Sequence, residues 1–95
     1  MEEQRLKYKY GIPFVWVVRC EYRVNVYFDH KNAFECYNTE WHRLKNLESK
    51  GKVTLLLEDN AKEDGCYASL WKIKRTGERV YISLDDRMIA DYKKR

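Results

Sequence analysis

The sequence predicts an α+β two-layer sandwich: a mostly antiparallel sheet of four or five strands, one long helix and a short C-terminal helix. Three stretches carry that prediction. Over 14–28 the even positions, Phe14, Trp16, Val18, Cys20, Tyr22, Val24, Val26 and Phe28, are all apolar or aromatic, while from Arg19 the odd ones run Arg19, Glu21, Arg23, Asn25, Tyr27. A period of two marks a strand with one buried and one wet face. Over 29–50 the apolar residues recur at three- and four-residue steps, the period of a helix stripe. Over 66–84 a third alternation turns about Thr76-Gly77, which reads as a hairpin.

The elements follow in order. Residues 1–12 are polar, with Tyr8 and Tyr10 alternating with Lys7 and Lys9, and read as a mobile arm or a short edge strand. Pro13 suits the start of the next strand, where a missing N–H is tolerated. Fifteen alternating residues would run roughly 50 Å if straight, against a diameter of about 30 Å for a compact chain of this size, so the stretch must bend or turn. A three-residue loop at Arg19-Cys20-Glu21 keeps the parity of the pattern, pairing Val18 with Tyr22 and Trp16 with Val24; a strongly bent single strand is the rival.

In the helix, Ala33, Phe34, Tyr37, Trp41, Leu44 and Leu47 form one stripe. Asp29 or Asn32 can accept its first free N–H groups, Asn32 with Glu35 approximates a capping box, and Gly51 is placed to end it. Val53, Leu55 and Leu57 then alternate with Thr54, Leu56 and Glu58, and the apolar Leu56 on the second face predicts a central strand. Residues 58–65 are a polar, mobile connection. In the hairpin a two-residue loop sets Lys74 opposite Arg79, Ile73 opposite Val80 and Lys72 opposite Tyr81. Tyr67, Trp71, Ile73, Val80, Ile82 and Leu84 then face inward, and Lys72, Lys74, Arg79 and Tyr81 outward. Ser83 with Asp86 opens the short last helix, with Met88, Ile89 and Tyr92 docking.

Composition bounds the function. Ninety-five residues, 44% hydrophobic and 36% charged, make a single domain with one core. No apolar leader and no run approaching eighteen apolar residues occurs, so the expectation is a cytoplasmic chain with no membrane contact. The cysteines Cys20, Cys36 and Cys66 lack paired spacing, which argues against a disulfide framework or a metal site; Cys20 and Cys36 read as small core hydrophobes and Cys66 as a loop-edge thiol. His30 and His42 read as surface histidines. No nucleophile elbow, Walker loop, metalloprotease or dinucleotide motif is present, and the four glycines fall in loops or turns, so no catalytic residue, metal or cofactor is expected.

The remaining signal is the outward sheet face. A net charge of +4 favours anionic partners. Arg19, Arg23 and Tyr27, joined by Lys72, Lys74, Arg79 and Tyr81, would interleave cations with aromatic rings, the combination that holds phosphates and stacks bases in single-strand-binding sheets. The like-charge pair Lys74 and Arg79 is unfavourable alone and would be relieved by an anion. The sequence therefore points to a non-enzymatic module that binds nucleic acid, preferentially single-stranded. A protein-interaction module, such as a small phage or viral host-targeting protein, would use the same Tyr- and Arg-rich surface. A metal-free ribonuclease of toxin type, working with Lys, Arg and Tyr on a basic sheet, is the third reading.

Overall fold

One long helix lies across one face of a six-stranded antiparallel sheet in the computed structural model, which describes residues 7–9 and 11–88. The strands are β1 (Lys7–Lys9), β2 (Ile12–Cys20), β3 (Arg23–Tyr27), β4 (Val53–Glu58), β5 (Tyr67–Ile73) and β6 (Arg79–Met88), and the helix α1 (His30–Ser49) joins β3 to β4. The sheet order is β1-β2-β6-β5-β4, and β3 also pairs with β2. Since β6 covers Phe14 to Cys20 of β2, β1 and β3 share its other edge end to end, β1 against residues 12–14 and β3 against 16–20.

The core forms where the even residues of β2 meet the helix stripe. Phe14, Trp16, Val18 and Cys20 pack with Val80, Ile82 and Leu84 of β6, Trp71 of β5, Val53 of β4 and Ala33, Tyr37 and Leu44 of α1. Phe34, Trp41 and Leu47 flank this cluster, so the stripe is placed as its spacing predicts. Asp29 is the helix N-cap and accepts from the Asn32 N–H at 3.1 Å. At the other end Gly51 takes φ +78°, and the N–H groups of Gly51 and Lys52 close back on the Glu48 and Leu47 carbonyls at 2.9 and 3.0 Å.

Five expectations need correction. The 14–28 stretch is a hairpin, but its turn is the two residues Glu21-Tyr22, because Cys20 pairs with Arg23 and Val18 with Asn25. A two-residue turn reverses parity, so Arg23, Asn25 and Tyr27 join Trp16 and Val18 on the helix side and Val24 and Val26 face out. In the β5/β6 hairpin the loop is four residues, with Ile73 N–H bonded to the Glu78 carbonyl and Gly77 at φ +78°. The register becomes Trp71 with Val80 and Lys72 with Arg79. That two-residue slip preserves the predicted faces.

β4 is an edge strand, not a central one: a bulge between Leu55 and Leu57 disrupts its pairing with β5, and Leu56 and Leu57 are exposed. Residues 83–88 continue β6 rather than opening a helix, since β2 pairs with them up to Met88; the rest of the expected C-terminal helix lies outside the described residues. Finally, His30 is half-buried, its ring against the edge of Trp16 at 4.6 Å and its Nε2 2.9 Å from the Gly65 carbonyl oxygen. Lys7–Lys9 form the edge strand allowed for in the N-terminal segment, and the 58–65 connection is tied by an Ala61/Cys66 bridge around a 3-10 turn at Lys62–Asp64.

Candidate nucleic-acid interface

The topology collects charge at one end of the sheet. The C-terminal ends of β2 and β5 lie beside the N-terminal ends of β6 and β4. The Glu21-Tyr22 turn, the β5/β6 loop and the α1/β4 connection therefore sit together. Arg19, Lys72 and Arg79 come from the strands, Lys74 and Arg75 from the loop, and Lys52 from the connection. None of these six cations makes an ion pair among the described residues. Of the other described cations, Arg23, Arg43, Lys45, Lys9 and Arg87 are paired and Lys7, Lys31, Lys50 and Lys62 are not paired among the described residues, while the aspartates Asp59, Asp64, Asp85 and Asp86 lie towards the other end.

Four of the seven residues singled out from the sequence share the open face, away from α1. Arg19 stands opposite Ser83, Tyr81 opposite Leu70, and Arg79 opposite Lys72, all at positions whose neighbours in the chain point into the core. Arg19, Arg79 and Tyr81 line a cleft of about 330 Å³ together with Glu21, Tyr22 and Glu78. Tyr22 is 91% exposed and Tyr81 52%. Glu21 is turned to the Arg43 guanidinium at 3.4 Å, which leaves Glu78 as the cleft's other carboxylate. The Lys72/Arg79 pair puts like charges directly across two strands, an arrangement that costs stability unless an anion bridges it.

Lys74 lies in the loop, and its N–H bonds the Lys52 carbonyl at 3.0 Å, which ties the loop to the α1/β4 connection. Lys52, Lys74 and Arg75 rim a second groove of about 660 Å³ floored by Leu47, Val53 and Ile73. Lys52, Arg75 and Tyr22 were not singled out from the sequence. Arg75 had the signal of adjacency to Lys74, whereas Lys52 joins the group only because β4 pairs with β5, which no local pattern reveals.

Arg23 and Tyr27 leave the site. Arg23 is held by Glu40 of α1 at 2.9 Å, a bond that raises its guanidinium above its usual range. The Tyr27 hydroxyl is pushed up to about 12, first by the neighbouring Cys36 side chain and then by burial. Both serve the contact between β3 and the helix.

Among the described residues no three His, Cys, Asp or Glu side chains gather as a metal site, and no helix is long and apolar enough to cross a membrane. No family model matches the chain, and it matches neither a curated protein nor a solved structure.

Proposed function

We propose that the chain binds single-stranded nucleic acid at the basic end of its open sheet face. The observation that carries this is the cleft in which two exposed tyrosines, Tyr22 and Tyr81, stand with Arg19 and Arg79 beside the like-charged Lys72/Arg79 pair. Phosphates neutralise the cations, and the tyrosine rings offer faces on which bases stack, at about 1 to 3 kcal/mol per base. Lys74, Arg75 and Lys52 extend the positive surface beyond the cleft, so a strand of several nucleotides follows the sheet end from Arg19 to Lys52.

The test is fluorescence-anisotropy titration with labelled single-stranded DNA and RNA at several salt concentrations. Engagement of about four phosphates gives a log–log salt slope of about −3 for a single strand. The triple variant Arg19→Ala, Lys72→Ala, Arg79→Ala should lose binding while keeping its circular dichroism, and Tyr81→Ala should weaken binding with the salt slope unchanged. Binding that ignores salt, or that survives the triple substitution, overturns the proposal. Gel analysis of the RNA after incubation in EDTA tests the ribonuclease reading on the same samples. The protein-interaction reading draws on a different observation, the exposed Val24 and Val26 of β3.

A further inference from the structure

A sheet edge carries unpaired N–H and C=O groups, and folded proteins usually blunt it. Three free edges exist among the described residues. That of β1 is three residues long and carries Lys7 and Lys9. That of β4 is broken by the Leu55/Leu57 bulge, and its Leu55 N–H is taken by the Glu48 carboxylate of α1 at 3.2 Å. That of β3 has neither device: five residues, no proline and no bulge in its pairing with β2.

The two-residue turn decides which groups this edge offers. In a hairpin closed by the Cys20/Arg23 pair, residues 23, 25 and 27 direct their N–H and C=O to β2, and Val24 and Val26 direct theirs outward. The same two residues place their side chains on the open face, 55% and 57% exposed. The one charge in the strand, Arg23, is already held by Glu40, so a strand added here leaves no charge unpaired.

We propose that β3 pairs antiparallel with β3 of a second copy about a two-fold axis at Asn25, joining two sheets into one. The occupant follows from the strand's own symmetry. About Asn25 the sequence reads Val-Asn-Val, so each Val24 meets the other copy's Val26 on the open face with both hydrogen bonds made, and Arg23 meets Tyr27 on the helix side. No like charges oppose within the strand. The surface lies outside the tyrosine cleft except for the shared turn, so this inference does not rest on the nucleic-acid reading.

Nucleic-acid-free protein should show, in sedimentation equilibrium, a concentration-dependent rise from 11.6 kDa towards twice that mass. Val26→Pro removes an outward N–H without touching the β2 ladder, and Val24→Lys sets a charge against the apolar pair. Each should weaken association by about tenfold or more while the circular dichroism stays native. The register is tested with Asn25→Cys in a Cys36→Ala background, which removes the thiol beside Asn25. This variant should cross-link on mild oxidation, whereas Val24→Cys in the same background should not, because Val24 faces Val26. A monomer at all concentrations overturns the proposal. So does a dimer that survives both edge variants, cross-linking with the reverse preference, or capture of an extended peptide without self-association.

Discussion

The Tyr37 hydroxyl lies 3.1 Å from Ser69 Oγ, and Ser69 Oγ in turn accepts from the Trp71 indole N–H at 2.8 Å. All three side chains are buried, so a single serine satisfies two aromatic polar groups between helix and sheet. Ser69→Ala should therefore cost about 2 to 4 kcal/mol, since it strands two buried groups at about 1 to 3 kcal/mol each, offset in part by relaxation. Adding Tyr37→Phe should recover part of that loss. Urea unfolding of the single and double variants checks this; a Ser69→Ala cost below about 1 kcal/mol would show that the Tyr37 hydroxyl and the Trp71 indole N–H find other partners.

The same burial fixes an alkaline limit. Burial pushes the Cys20 thiol from 9.0 up to about 12, and pushes the Tyr37 hydroxyl from 10.0 up to about 12 against the opposing bond to Ser69. Both groups are neutral when protonated and ionise at lower pH in the unfolded chain. Their contribution to stability is thus complete below about pH 9 and is lost as pH rises from there to 12. Urea midpoints should fall between pH 9 and 11. Cys20→Val should flatten the first part of the decline and Tyr37→Phe the part above pH 10. A midpoint constant from pH 8 to 11 would contradict the assignment. Native Cys20 should also resist iodoacetamide until the chain unfolds.

How far the sequence reveals this molecule depends on whether the observed register differs from the expected one by an odd or an even number of residues. The helix was legible at both ends because Asp29 and Gly51 carry local signals that packing then confirmed. In the β5/β6 hairpin the loop is two residues longer than the sequence predicts, yet Trp71, Val80, Ile82 and Leu84 still face inward because two residues restore the parity. At β2/β3 the change is odd, and it moved Arg23 and Tyr27 off the open face. The pattern misled because Tyr22, Val24 and Val26 continue the apolar alternation on a strand whose even side is exposed. Chain length did not force that turn either, since the molecule extends 49 Å along its longest axis. Ser83 and Asp86 carry a helix-start signal that lost to pairing with β2, a contact between residues far apart in the chain.

The turn that misled the pattern is itself testable. Glu21 has φ +56° at the first of two turn positions, where glycine is usual. A non-glycine residue there costs about 1 to 2 kcal/mol. Comparing Glu21→Gly with Glu21→Ala cancels the exposed pair with Arg43, which both variants lose. Glu21→Gly should be the more stable by about 1 kcal/mol in urea unfolding, part of the relief being offset by the unfolded-state entropy of glycine. Equal stability would mean that the backbone at Glu21 relaxes without cost.

Gly65 and Gly77 share almost the same φ, +75° and +78°, but not the same surroundings. A Cβ on Gly77 meets nothing within 4 Å, so Gly77→Ala should cost only the conformational strain of about 1 to 2 kcal/mol. A Cβ on Gly65 would stand 2.9 Å from His30 Nε2 and 3.3 Å from Trp16 Cη2. The His30 ring cannot swing away freely, because it is held by the Gly65 carbonyl and by the edge of Trp16. Gly65→Ala should therefore cost at least about 1 kcal/mol more than Gly77→Ala, within the range for overpacking. His30→Ala placed in the Gly65→Ala background should lower that excess, and the double-mutant cycle measures the coupling directly. An additive cycle would assign the excess to the backbone and remove His30 as the side chain that demands glycine at the end of the 3-10 turn.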